Sequence, residues 1–203
     1  MNNFDLSRPH VYQPGGQRTL LLLHGTGGDE FDLLRLGKAL DPEAAILSPR
    51  GMYLEAGMNR FFERYPDGSF NEDSVREAVA ELALFVEAAS REYGIDTSRI
   101  TAAGFSNGAN TAAALLVSRP DLISEAVLFG STRPFVEISE EPDLTGKKVW
   151  IANGDLDGYA PVAVTANWVA QLESFGAEVS WLRHPGGHQI SPAHVQEISK
   201  QLN

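Results

Sequence analysis

A chain of 203 residues, 43% hydrophobic and 21% charged, is long enough to bury a sizeable core and is expected to form one domain over residues 1–203. Its formal net charge of −11 repels phosphate backbones, which excludes nucleic acid as an expected partner. It has no cysteine, so disulfides, thiol nucleophiles and thiolate metal sites are excluded.

The first ten residues, MNNFDLSRPH, hold no basic stretch followed by an apolar one, so no secretory signal is expected. The run Thr19-Leu20-Leu21-Leu22-Leu23 is far shorter than a bilayer span. Membrane insertion is therefore not expected, and the cytoplasm is the expected location. The same run predicts a strand buried on both faces, ending in the turn His24-Gly25-Thr26-Gly27-Gly28. Phe31 to Leu40 reads as a short helix and Ala44 to Leu47 as a second buried strand. Residues 52 to 71 read as a long loop rich in aromatics and arginine.

Glu72 to Tyr93 is the clearest helix. Val75, Val79, Leu82 and Val86, with Ala78 and Phe85, make an apolar stripe, acids fill the first turn and Gly94 stops it. Arg99 to Ala103 predicts a strand and Asn107 to Arg119 a helix ended by Pro120. Further strands are predicted at Glu125 to Phe129, Lys148 to Ala152 and Glu178 to Leu182. Pro161 to Phe175 reads as a helix with proline in its first turn. Ser191-Pro192 opens a final helix that carries Val195 and Ile198. Alternating strands and helices imply a mostly parallel sheet covered on both faces, with chemistry gathered at the C-terminal strand ends.

Gly104-Phe105-Ser106-Asn107-Gly108 lies between a strand and a helix, the context in which Gly-x-Ser-x-Gly makes a nucleophile elbow. The flanking glycines let a tight turn lift the Ser106 hydroxyl off the sheet and aim a helix N-terminus at a developing anion. The expected oxyanion donors are the backbone N–H groups of Asn107 and Thr26. His24 reads as a structural residue tying loops together. The Gly25-x-Gly27 turn lacks a dinucleotide fingerprint, since position 30 is Glu, which argues against a nucleotide-binding oxidoreductase.

A triad on this fold runs Ser, then acid, then His. Asp155 and Asp157 compete for the acid, and Asp157, mid-loop before the helix at Pro161, is chosen. His188, after Gly186-Gly187, is chosen as base over His184, whose backbone is fixed by Pro185; His194 is expected to be exposed on its helix. With Ser, Asp and His present in order, a non-catalytic binding protein is the weaker reading. Acyl transfer by such a triad requires no cofactor and no metal.

Taken together, these residues resemble the α/β-hydrolase superfamily. More narrowly, they resemble its phospholipase/carboxylesterase family of small lid-less enzymes, related to acyl-protein thioesterases. Leu22 through Glu30 is similar to the family's oxyanion loop, Gly104 through Ala109 to its elbow, Gly154-Asp155-Leu156-Asp157 to its acid loop and Gly187-His188 to its histidine motif. Ser48-Pro49-Arg50-Gly51 and Met58-Asn59-Arg60-Phe61-Phe62 resemble the bacterial carboxylesterase branch. The resemblance implies a three-layer α/β-hydrolase fold without a lid domain and hydrolysis of small esters, with thioesters or lysophospholipids as alternatives. It also implies association through apolar loop residues, which puts a homodimer among the expectations. Asn107 stands where the family often has Gln, and Tyr159 stands where small branched residues are frequent, implying a narrowed pocket. Arg60, Phe61 and Tyr159 are the expected substrate-binding residues.

Overall fold

The computed structural model describes residues 6–138 and 140–202. A seven-stranded sheet is ordered β1-β3-β2-β6-β7-β8-β9. Its strands are β1 (His10–Gln13), β2 (Thr19–Leu23), β3 (Ala45–Pro49), β6 (Ile100–Phe105), β7 (Glu125–Phe129), β8 (Lys148–Gly154) and β9 (Glu178–His184). All neighbours pair in parallel except β1, which runs antiparallel along β3 at one edge. A small hairpin, β4 (Tyr53–Glu55) and β5 (Met58–Arg60), stands apart from this sheet.

Each sheet face has its own core because successive strand residues point to opposite sides. Leu21 and Leu23 join one cluster with α2 (Glu72–Tyr93), α3 (Asn107–Ser118) and α4 (Val162–Ser174). Leu20 and Leu22 join the other with α1 (Leu34–Leu40) and α5 (Pro192–Leu202). All five residues of β2 are buried, as expected of a strand covered on both faces. The expected three-layer α/β-hydrolase architecture is the one observed.

The helix ends follow local chemistry. Asn71 caps α2 by accepting the Ser74 N–H, Glu72 and Asp73 sit in its first turn, and Gly94 closes it at φ 69°. The segment Asp29–Leu33 forms tight turns instead of helix, with the Asp29 carboxylate accepting the Phe31 N–H (2.9 Å), so α1 starts three residues later than expected. Residues 52 to 71 are also more ordered than a loop, since they contain the β4–β5 hairpin. No helix among the described residues is long and apolar enough to cross a membrane.

Candidate active site

Thr26, Ser106, Asp157 and His188 all follow the C-terminal ends of parallel strands. β6 ends at Phe105, α3 begins at Asn107, and Ser106 between them takes φ 53° and ψ −115°. A non-glycine residue held there costs about 1–3 kcal/mol and persists only where its surroundings impose it. They do so here. The Ser106 N–H donates to the Phe129 carbonyl on β7 (2.9 Å), and its own carbonyl accepts from the Asn110 N–H and side-chain amide, both at 3.0 Å.

The flanking glycines have the expected steric cause. A Cβ at Gly104 would lie 2.6 Å from the Gly108 carbonyl carbon, and one at Gly108 would fall onto the Leu23 carbonyl. Gly108→Ala must push α3 off β2, so it should lower the unfolding free energy by about 3 kcal/mol. Urea denaturation measures this, and a loss below about 1 kcal/mol would contradict the packing.

The loops after β8 and β9 are joined through their backbones. The Asp155 N–H donates to the His184 carbonyl (2.7 Å) and the Leu156 N–H to the Gly186 carbonyl (3.0 Å). This brings Asp157 to His188, whose Nδ1–H donates to Asp157 Oδ2 at 2.7 Å. The Asp157 carboxylate is buried, and its Oδ1 accepts the N–H groups of Tyr159 (2.9 Å) and Ala160 (3.2 Å). With Nδ1 engaged, Nε2 of the ring is left for the pocket. The His188 ring also packs against Phe105 and Tyr159, each at 4.9 Å between centroids, and against Gly130, where a Cβ would lie 2.8 Å from its Cε1.

Asp155, the competing acid, instead pairs with Arg183 on the surface (2.7 Å). His184, the competing base, holds the turn that carries His188. Its Nδ1 accepts the Gly186 N–H at 3.0 Å, and its Nε2 lies 3.3 Å from the Gln189 carbonyl. His194 is buried against the His184 ring, contrary to expectation, because it shares the inner face of α5 with Val195 and Ile198.

Ser106, His188, Thr26, Asn107, Arg60 and Tyr159 all line one cavity of about 840 Å³. On the β2 loop the Gly27 N–H goes to the Asn59 carbonyl and the Gly28 N–H to the Gly25 carbonyl. The Thr26 N–H between them, like that of Asn107 at the start of α3, has no acceptor among the described residues. The Asn107 side chain accepts the Phe61 N–H at 2.7 Å and so latches the loop after β5 to the start of α3.

Two expected substrate contacts need correction. Phe61 is buried beneath the site against the His24 ring and does not line the cavity. Its N–H is pinned by the Asn107 side chain, and its side chain is buried. Arg60 does line the cavity, but its guanidinium is engaged by Thr26 Oγ1 (2.6 Å), the Phe62 carbonyl (3.1 Å) and Glu55 (3.7 Å). It braces the β2 loop, and burial lowers its pKa. Tyr159 is 69% exposed and stands over His188 at the mouth. Asn110, Phe105, Gly130 and Arg133 also line the cavity without having been singled out in the sequence. Asn110 lies four residues after Ser106 on a helix, a spacing that could have marked it.

His24 holds the β2 and β3 loops together, as expected. Its Nδ1–H donates to the Gly25 carbonyl (2.7 Å) and its Nε2 accepts the Gly51 N–H (2.9 Å). Burial lowers its pKa, and a proton on Nε2 would face the Gly51 donor. The unfolded chain therefore binds a proton that the folded chain refuses. This contribution is whole above about pH 6.5 and is lost as pH falls toward the lowered folded value. Stability should fall by up to about 1.4 kcal/mol per pH unit in that window, and His24→Gln should flatten the slope. Denaturant titrations at several pH values test this; an unchanged slope in the variant would contradict it.

A strained serine elbow beside a paired histidine and aspartate, on a mostly parallel sheet, defines an α/β-hydrolase. The sequence profile of the phospholipase/carboxylesterase family matches residues 11–203. MhqD of Bacillus subtilis (strain 168), which carries the name of a hydrolase, is 38% identical over 189 residues, covering 93% of this chain and 94% of its own. The Bacillus cereus carboxylesterase superposes with a TM-score of 0.93 at 37% identity, covering 100% of this chain and 98% of its own. The Mesorhizobium loti carboxylesterase gives a TM-score of 0.87 at 29% identity, covering 95% and 94%. The chain belongs to the phospholipase/carboxylesterase family and is an ester-hydrolysing enzyme.

Proposed function

We propose that this protein cleaves carboxylic esters through a Ser106–His188–Asp157 triad and a Ser106 acyl-enzyme. The observation that carries the reading is the 2.7 Å bond from His188 Nδ1–H to the buried Asp157 carboxylate, in the cavity that also holds Ser106 on its strained turn. His188 Nε2 takes the Ser106 proton as Oγ attacks the ester carbonyl, then delivers it to the departing alcohol. Water, deprotonated by the same nitrogen, then releases the acid and restores Ser106. Asp157 fixes the ring tautomer and stabilises the imidazolium. The N–H groups of Thr26 and Asn107 are the donors to the tetrahedral oxyanion, and neither has a competing protein acceptor among the described residues.

The cavity volume suits a short or medium ester, and Tyr159 at its mouth favours slender acyl groups. Pre-steady-state hydrolysis of p-nitrophenyl esters of graded length tests the reading. An initial burst of p-nitrophenol equal to the enzyme concentration is expected where deacylation is slower than acylation. No turnover at any length would overturn the ester reading. A thioester preferred over its oxygen analogue would replace the substrate class and keep the triad.

A further inference from the structure

Most charged side chains around the cavity have a partner within the fold. Glu55 pairs with both Arg60 (3.7 Å) and Arg64 (2.9 Å), and the Glu72 carboxylate accepts the Val136 N–H (2.7 Å). Asp67 accepts from the Ser69 N–H and hydroxyl (2.9 and 2.6 Å). Asp32 is exposed, on the turn after β2. Arg133 differs. It lines the cavity and is half-buried, and its guanidinium has no ion-pair or hydrogen-bond partner among the described residues. In a chain of net charge −11, this guanidinium shares the cavity with Ser106 and has no carboxylate partner among the described residues.

Its backbone is held in place. Asn110 Oδ1 accepts the N–H of the preceding Thr132 at 2.9 Å, while the same side chain donates to the Ser106 carbonyl at 3.0 Å. Asn110 also accepts the Ser131 hydroxyl (3.2 Å), and the Ser131 N–H goes to Asn153 (3.1 Å). Pro134 follows and biases Arg133 toward extended backbone. The loop carrying the unpaired guanidinium is thus tied through one side chain to the residue that would attack the substrate.

We propose that Arg133 is a specificity-determining residue that binds a carboxylate carried by the ester substrate, so that the preferred substrates are monoesters of dicarboxylic acids. The inference rests on the ester-hydrolase reading and narrows it. A planar guanidinium offers two parallel N–H donors to a carboxylate, and half-burial strengthens the pair over one in open water.

The test compares kcat/KM for matched pairs by pH-stat: monoethyl glutarate against ethyl pentanoate, and monoethyl adipate against ethyl hexanoate. In the wild type the ratio of hemiester to neutral ester should exceed one for at least one pair and fall as KCl is raised to about 0.5 M. Arg133→Gln should reduce the ratio by about tenfold to hundredfold, and Arg133→Lys should retain part of it. The salt response is read in the wild type and does not depend on how the variants fold. Neutral esters hydrolysed with no hemiester preference, or a preference unchanged in Arg133→Gln, would overturn the inference and leave the hydrolase reading standing. Hydrolysis of neither class would overturn both.

Discussion

Ser106→Ala is expected to lower kcat for p-nitrophenyl butyrate by about 10⁴- to 10⁶-fold while the protein stays folded. The proposed mechanism has no other group able to form the acyl-enzyme. The variant keeps the Ser106 backbone bonds to Phe129 and Asn110, because they use only main-chain atoms of residue 106. Substrate binding should be little changed, since the hydroxyl acts at the reacting carbon. His188→Ala should cost a comparable factor, and the double variant should cost hardly more than either alone, because the two residues act as one unit. Steady-state kinetics with far-UV circular dichroism as a folding control decide this. Activity above about one per cent of wild type in Ser106→Ala would place the nucleophile elsewhere.

Asp157→Asn is expected to lower kcat by about 10³- to 10⁴-fold. The amide oxygen can still accept the Tyr159 and Ala160 N–H groups, so the loop should hold its shape. Its nitrogen would then face His188 Nδ1 as a donor. That arrangement favours the tautomer with the proton on Nε2, which cannot act as a base toward Ser106. Asp155→Asn supplies the contrast. Asp155 is paired with Arg183 on the surface, and such pairs contribute about 0–1 kcal/mol, so activity should stay within about twofold of wild type. Equal losses in the two variants would contradict the assignment of Asp157.

The four consecutive leucines of β2 and the helical stripe of α2 announced themselves because burial on two faces and on one stripe leaves distinct patterns. The edge strand β1, His-Val-Tyr-Gln, left none: it is half-buried along its length and has no apolar run. The β4–β5 hairpin turns on Ala56 and Gly57, both at positive φ, and an alanine in the first turn position hid a signal that asparagine would have given. In the candidate site, strand ends and glycine-rich loops fix the neighbourhoods of Ser106, Asp157 and His188, and the structure places Ser106 and His188 in one cavity with Asp157 bonded to His188. Phe61 was misjudged because its backbone is held by the Asn107 side chain, 46 residues away in the chain, and its ring packs on His24. Arg133 was invisible for a different reason. Its interest lies in lacking a partner, and only the folded arrangement reveals which charges have one.

Covalent trapping identifies the nucleophile. The wild-type protein treated with a fluorophosphonate should gain the mass of one phosphonyl group, and peptide mapping should locate it on Ser106, with no adduct in Ser106→Ala. An unlabelled wild type, or an adduct that persists in Ser106→Ala, would rule out Ser106 as the nucleophile.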